Sequence, residues 1–374
     1  MAYDGVALGT DTTLDLWKLT LSNYGWDEKG FTMLFGKHTF FMLDQTFGPD
    51  KIESEGGTQI VRDVIYRDGG SAQWVQPGAV REVGTLDIIT QVTVPFVNVV
   101  DNFSITEAEL RRNRGRAKLK NLQASRRLAC KVRLATGIDE RMLQAPTSST
   151  DYIHPYGLPY WAVKITSTQA ATAAYAQGKH QGENPSGFST TGGIDASDST
   201  YSRWRNYCAA WTNTDGDITE DDLLRVGQMH RNLRWQVPRI LADLATPAFK
   251  KLSIITNQEI LNSVGKATRR LNDQIGWDAM KGYGIGYGDM GNPTFGGIPL
   301  MWADYLENDT DNPLYMVNHD HLYPVIEEGC WFRELPAMRQ PAQPDTFVSH
   351  VDCGFNLLCR DRQKAVGVIS NATS

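Results

Sequence analysis

Residues 101–145 read DNFSITEAELRRNRGRAKLKNLQASRRLACKVRLATGIDERMLQA, and the rest of the chain is organised around them. Arg111, Arg112, Arg114, Arg116, Lys118, Lys120, Arg126, Arg127, Lys131 and Arg133 follow one another with no acidic residue between. Ser104 stands three residues before Glu107, and Thr106 three before Glu109, so either pair can open a helix as a capping box. At 100° per residue Leu110, Ala117, Ala124, Leu128, Val132, Ala135 and Met142 share one narrow seam. The stretch therefore predicts a single basic spine helix over Asp101 to Ala145, roughly 45–60 Å long. Gly115 and Gly137 are the positions at which it can bend or end early.

The spine holds ten of the 37 Lys and Arg in a chain of 374 residues whose net charge is −6, so the remainder is distinctly acidic. Segregated charge of this kind favours contacts between unlike surfaces, of neighbouring copies or of an outside partner. Five scattered cysteines without a CxxC pair argue against a disulfide framework and against zinc, and for synthesis in a reducing cytoplasm. The N-terminus lacks the basic and apolar regions of a secretion signal, and the apolar runs are too short to span a bilayer. No membrane is expected as a partner.

Upstream of the spine, residues 58–100 predict two long strands, Thr58 to Arg67 and Asp87 to Val100, joined by a glycine-rich tip that carries Trp74. Pro95 removes a ladder donor and suits an edge or a bend. An isolated ribbon is marginal in water, so it is expected to lean on something outside itself, most simply another subunit. Before it come a short amphipathic helix at about Thr13 to Asn23 and an aromatic run containing Phe31, Phe35, Phe40, Phe41 and Phe47. That run reads either as core or as an arm buried on a neighbour.

Pro146 ends the spine, and residues 147–203 are irregular, with a short strand expected at Tyr160 to Thr166. Residues 219–235 predict a helix with Thr219 as N-cap and Asp222 at the capping-box position. KLSIIT (Lys251 to Thr256) reads as a buried strand, with a helix from Asn257 to about Ile275. Further strands are expected at Ile298 to Ala303, Leu314 to Val317 and Trp331 to Glu334, and a last hairpin from Phe347 to Ile369 turning at Asp361. Helices and strands mix without a βαβ rhythm, so the fold class is α+β, with no internal repeat.

The motifs with a chemical reading are weak. Gly286, Gly288 and Gly291 match G-x-G-x-x-G, but Asn292-Pro293 follows where a phosphate-binding helix must start. Trp211 to Asp222 resembles a calcium loop without its first ligand or its final Glu, and reads better as an acidic turn capping the next helix. His319 and His321 supply two metal ligands where three or four are needed. No GxSxG or HExxH occurs, and Cys359 after Leu357-Leu358 reads as packing. The basic spine can neutralise phosphates, yet no aromatics interleave with its charges to stack on bases. No catalytic residue, cofactor or metal is predicted.

The order of arm, long two-stranded loop, spine helix and mixed α+β body resembles the major capsid protein of tailed bacteriophages, the Hong Kong 97-type shell fold. Local stretches resemble one branch of that family: Gly192-Gly193-Ile194-Asp195 followed by Trp204-Arg205-Asn206, KLSIITNQEI, Gly296-Gly297-Ile298-Pro299-Leu300 running to Asp304, and Leu314-Tyr315-Met316-Val317-Asn318. The resemblance implies an N-terminal arm (1–57), an extended loop (58–100), the spine helix and peripheral domain (101–199), an axial domain (200–330) and C-terminal strands returning to the peripheral domain (331–374). It implies an icosahedral shell of hexamers and pentamers around double-stranded DNA, made in the bacterial cytoplasm and located in the virion. Without a long charged N-terminal extension, a separate scaffolding protein is expected, with a portal, a possible decoration protein and only weak contacts to packaged DNA. No Lys–Asn crosslink pair can be matched. Contacts between subunits are expected at Phe40 and Phe41 in the arm, Arg67, Trp74 and Arg81 on the loop, and Arg112, Arg116 and Arg127 on the spine. The competing readings are a portal or tail component, and a metal-dependent hydrolase using the Asp215–Asp222 or His319–His321 regions.

Overall fold

The computed structural model describes residues 42–47, 53–67, 74–76, 87–112, 116–213, 217–233, 252–275, 285–287 and 293–372. The Thr13 to Asn23 helix, Phe40, Phe41 and Arg81 lie outside them, as do Gly115 and the side chains of Arg112 and Arg116.

The chain enters through one π-helical turn, Met42–Thr46, and strand β1 (Glu53–Glu55). Met42 and Phe47 are buried, and Phe47 stacks on Trp331 at 5.1 Å, so this end of the aromatic run is core of the same chain. Strands β2 (Gln59–Ile65) and β3 (Ile89–Pro95) form the antiparallel ribbon, with Gln59 opposite Pro95 and Ile65 opposite Ile89. The long second strand expected from sequence is broken at Pro95, after which β4 (Val97–Thr106) joins a different sheet. The proline acts as the bend between them.

The spine begins later than its sequence predicts. Asp101 to Thr106 belongs to β4, paired along its whole length with β15 (Gln343–Cys359). Its inward residues Phe103 and Ile105 alternate with outward polar ones, a two-residue period that only a sheet satisfies. Helix α1 (Glu107–Arg112) follows, opened by Thr106 and Glu109 as a reciprocal capping box, and then α2 (Arg116–Met142). At 27 residues α2 is roughly 40 Å long, and Gly137 does not interrupt it. Its buried line is Gln123, Cys130, Leu134, Ile138 and Met142. Ala124, Leu128, Val132 and Ala135, expected on the seam, are only half-buried.

Beyond Pro146, residues Tyr160 and Trp161 sit in the helical turn α3 (Leu158–Trp161) rather than in a strand, with Pro159 supplying the fixed φ of a helix start. Strands β5 (Lys179–Gly182) and β6 (Asn206–Ala210) lead to α4 (Glu220–Leu233), capped by Thr219 and Asp222 as expected. Strand β7 (Leu252–Thr256) runs into α5 (Gln258–Ile275), whose first turn is closed by Asn257 Oδ1 accepting from Ile260 N at 3.0 Å. Strands β8 (Ile285–Tyr287), β9 (Pro293–Phe295), β10 (Ile298–Trp302), β11 (Leu314–Asn318), β12 (Leu322–Glu327), β13 (Arg333–Glu334) and β14 (Met338–Gln340) precede β15. No terminal hairpin turns at Asp361. That residue caps the turn α6 (Arg362–Ala365), which redirects the chain so that β16 (Val366–Ser370) enters another sheet.

Two mixed layers result. One sheet orders β1, β12, β15 and β13, with β4 and β14 also on β15, and carries the spine helix. The other orders β5, β6, β16, β11, β7, β10, β9 and β8. A continuous apolar core runs through both, from Met142 and Trp161 to Phe355, Leu357, Tyr315 and Val368. The class is α+β, as predicted.

Candidate assembly surface

The ribbon is supported at its base by its own chain, which corrects the expectation of external support there. Ile60, Val92 and Val94 are buried, and Thr93 N donates to Gly192 O at 2.9 Å. Gly192 (φ +61°) and Gly193 (φ +86°) form a left-handed turn that brings this carbonyl to the strand. A Cβ on Gly192 would stand 2.9 Å from Val92 Cγ1 and 3.0 Å from the Trp161 ring. The turn is held from behind by Tyr160 Oη, which accepts from Gly192 N at 2.9 Å, and by Trp204 Nε1, which donates to Thr191 O at 2.9 Å. Away from this base the ribbon opens to solvent: Ile65 and Ile89 are exposed, and Trp74 is fully so. Arg67 lies over the Tyr66 ring and donates to Asp87 O at 2.8 Å, closing the mouth of the tip.

Beneath the two glycines lies a hub that the sequence reading missed. Arg362 is fully buried and donates to Trp161 O (2.8 Å), Trp204 O (3.1 Å), Asn206 Oδ1 (2.9 Å) and more distantly Thr191 Oγ1. None of these acceptors is a carboxylate. Burial is the main reason its pKa falls to about 10. Asn206 extends the network by donating to Val163 O and accepting from Val163 N. One side chain thus fixes α3, the glycine turn and the start of β6 relative to α6. The signal available in sequence was only an arginine after an Asp that caps a turn.

On the other sheet the spine's cations meet acids of the same chain. Arg126 donates to both oxygens of Glu109 (2.6 and 2.8 Å) and to Ser104 O. The Arg126 hydrogen bonds, then the Thr106 N–H, hold the Glu109 carboxyl at about 2. Arg133 grips Asp101, with 2.7 Å from Nε to Oδ2, and Arg111 bonds Glu107 at 2.7 Å. Burial pushes Asp101 up, but the bonds from Arg133 and the Asn102 N–H outweigh it and the net shift is downward. Arg127, expected at a subunit contact, bonds Glu334 at 2.6 Å across the helix–sheet seam. Four spine arginines therefore have partners inside the chain, where the sequence reading looked for those partners on neighbouring copies. Cys130 packs beside Asp101, and desolvation raises its thiol to about 12, so it is a packing residue.

Asp215, Gly288 and Gly291 of the weak motifs lie outside the described residues, and the described parts resolve into structure. Asp222 is buried, and its oxygens accept from Thr212 N, Thr212 Oγ1, Thr219 N and Thr219 Oγ1, which is a cap. His319 and His321 stand in the turn between β11 and β12, where His319 Nε2 pairs with Ser253 at 2.6 Å and burial lowers the pKa of His321. Tyr287, within the glycine-rich segment, lies in β8, and β9 follows. Among the described residues no cluster of His, Cys, Asp or Glu is arranged to hold a metal, and no helix is long and apolar enough to cross a membrane. All five cysteines are free, and Cys359 is buried as expected of packing.

These elements define a mixed α+β fold in which a charged spine helix lies on one sheet and a two-stranded ribbon stands beside it. Comparison with solved structures gives the fold. The chain is similar to a subunit of the cyanophage A-1(L) capsid asymmetric unit at 15% identity and TM-score 0.61, over 96% of this chain and 99% of that one. It is similar to the capsid of the native GTA particle computed with C5 symmetry (13%, TM-score 0.55, 94% and 96%) and to a structure of Mycobacterium phage Bobi (11%, TM-score 0.51, 96% and 98%). No protein-family model and no curated protein matches the chain. The fold is shared with these capsid structures over nearly the whole of each chain.

Proposed function

We propose that this chain is the major capsid protein of a tailed bacteriophage, of the Hong Kong 97 type, which assembles into hexamers and pentamers as the icosahedral shell around packaged double-stranded DNA. The observation that carries the reading is the match to a capsid asymmetric unit over nearly the whole of both chains. In this reading the role is structural rather than enzymatic. In this reading 1–57 is the arm, 58–100 the extended loop, 101–199 the spine and peripheral domain, 200–330 the axial domain and 331–374 the returning strands. Phe40, Phe41, Arg67, Trp74, Arg81, Arg112 and Arg116 make contacts between copies. Arg127 makes such a contact only by sharing itself with Glu334. A scaffolding protein, a portal and weakly held DNA complete the set of partners, and the virion is the location.

Many modest contacts repeated by symmetry suit such a subunit better than one pocket. The test is electron microscopy and sedimentation of the purified chain, alone and with its scaffold. Closed shells are expected. A protein that stays monomeric under all assembly conditions would overturn the proposal, and rings in place of shells would transfer it to the portal or tail class.

A further inference from the structure

The chain passes between the two sheets twice at one corner. Strand β11 ends in one sheet at Asn318, and β12 begins in the other at Leu322. Strand β15 ends at Cys359, and β16 begins at Val366 in the sheet of β11. On either side of the corner these runs are paired, Val317 opposite Val366 and Leu322 opposite Cys359. Residues 318–321 and 360–365 therefore cross side by side between two ladders and belong to neither. A place where two packed layers exchange strands is suited to act as a hinge, because a few residues absorb the change in φ and ψ.

Local bonds hold the corner. Arg360 N donates to His321 O at 2.9 Å and joins one crossing to the other. Within the crossings, His321 N donates to Asn318 O at 3.2 Å, Asp320 N to Asn318 Oδ1 at 3.1 Å, and Ala365 N to Asp361 O at 2.8 Å. The Arg360 guanidinium lies over the Tyr323 ring, 4.8 Å from its centroid.

Ionisable groups gather at the same place from three elements. The first crossing carries His319, Asp320 and His321, of which His319 is engaged by Ser253. The second carries Arg360, Asp361 and Lys364, with Lys364 Nζ 3.4 Å from Asp361 Oδ2. Strand β5 adds His180, whose ring meets Tyr207 edge-on at 5.8 Å and whose Nδ1 is buried without a hydrogen-bond partner among the described residues. Burial is the largest influence on both imidazoles and lowers their pKa from the ordinary 6.5. Asp361 pulls both upward, helped by Asp320 at His321 and by the Arg205 backbone at His180, while Lys364 and Arg360 push His321 further down. The net shift of each is downward.

We propose that this corner is an acid-sensitive joint: proton uptake by His321, assisted by His180, breaks the bond between Arg360 and His321 and loosens both crossings while each sheet stays paired. The direction follows from linkage. An opened corner returns the imidazoles to water and to their ordinary value, so it binds more protons than the closed one. The closed corner is fully favoured above pH 6.5 and loses stability as pH falls through 6.5 toward the lower folded values. Each proton taken up shifts the opening equilibrium by up to about tenfold per pH unit. The device lies within one chain, so it is read on the dispersed subunit whether or not shells form.

The test is hydrogen–deuterium exchange of the full chain between pH 7.5 and 5.5, each rate corrected for the intrinsic pH dependence of amide exchange. Protection at the Arg360 and Ala365 amides should fall about tenfold between pH 6.5 and 5.5, while the β4–β15 ladder keeps its protection. His321→Asn should remove most of this response. Lys364→Gln keeps the imidazole but removes a cation that opposes its protonation, so the response should shrink. Should His321→Asn fail to fold, Lys364→Gln decides alone. Protection at the corner that does not change with pH, a response undiminished in the folded variants, or exchange that rises equally along the β4–β15 ladder would overturn the proposal.

Discussion

Replacing Arg362 by methionine sets two large effects against each other. The substitution keeps an unbranched apolar stem but removes the guanidinium, so Trp161 O and Trp204 O lose that donor and Asn206 Oδ1 keeps only its bond from Val163 N. Each unsatisfied acceptor costs about 1–3 kcal/mol, so the two carbonyls cost roughly 4 kcal/mol at the middle of that range, and the lost third bond about 1 kcal/mol more. In the other direction, methionine removes a guanidinium buried without a carboxylate partner. Its pKa lies near 10 against a usual 12.5, and that difference corresponds to about 3 kcal/mol of unfavourable charge burial. The acceptors win, and the net destabilisation is about 2 kcal/mol. Urea denaturation of the dispersed subunit, followed by tryptophan fluorescence, reads this directly, with the midpoint falling and the slope unchanged. Amide exchange at Thr93 should accelerate as well, because its acceptor Gly192 belongs to the turn that the hub holds. Buried ion groups replaced by apolar ones are in some proteins neutral or stabilising. An Arg362→Met subunit as stable as the parent would refute the claim that neutral acceptors more than offset the buried charge.

Other expectations follow from single sites. Trp74→Ala should impair assembly in sedimentation assays while leaving the urea midpoint of the subunit within about 0.5 kcal/mol, as befits an exposed residue; equal damage to both would mean that Trp74 is core. Gly192→Ala should destabilise by about 1–3 kcal/mol, through its positive φ and its approach to Val92 and Trp161, and a thermal midpoint unchanged from the parent would contradict that packing. Glu109→Gln should weaken the start of the spine at neutral pH. The folded pKa of Glu109 is depressed from 4.5 to about 2, so its contribution is full above 4.5 and is lost as pH falls through the folded value. The gap between parent and variant in thermal stability should therefore close between pH 4.5 and 2, and a gap unchanged down to pH 2 would remove the Arg126 pairing as its cause.

What the sequence revealed and what it hid divide along physical lines. Signals carried by neighbours in the chain were legible. The caps Thr106–Glu109 and Thr219–Asp222, the bend at Pro95 and the strand–helix unit from Lys251 onward depend on local backbone chemistry, and the structure contains them. The spine seam was misplaced by about a quarter turn because alanines were counted as apolar anchors. Alanine has little area to bury, and the face that packs on β4 is set by Cys130, Leu134 and Ile138 at four-residue spacing. The start of the spine was missed because six residues, DNFSIT, show too few alternations beside a strongly charged helix, and their pairing with β15 lies some 250 residues away. The α6 turn was hidden for the same reason: only the fold decides that the chain after Cys359 must leave one sheet for the other. Of the expected contact residues, Trp74 stands out in solvent, whereas Arg127 is engaged at home, a distinction that no charge pattern contains.

The partners of the spine arginines bear on how strongly a basic helix binds phosphate. Ten cations in a run would bind phosphate strongly, with an affinity that falls steeply with salt. Arg111, Arg126, Arg127 and Arg133 are each set against a carboxylate of the same subunit, so those four are neutralised before any partner arrives. Pairs at half-exposed positions contribute little stability each, and their larger effect is on the field that the helix projects. Removing one acid changes that field without removing a cation. Glu334→Gln frees Arg127 while leaving its charge in place, and should therefore raise the affinity of the dispersed subunit for double-stranded DNA and steepen its dependence on salt by about one counterion. Filter binding across a salt series measures the slope. A slope unchanged by Glu334→Gln would mean that Arg127 faces away from any nucleic acid, and that the spine's charge balance serves only the packing of α2 on its own sheet.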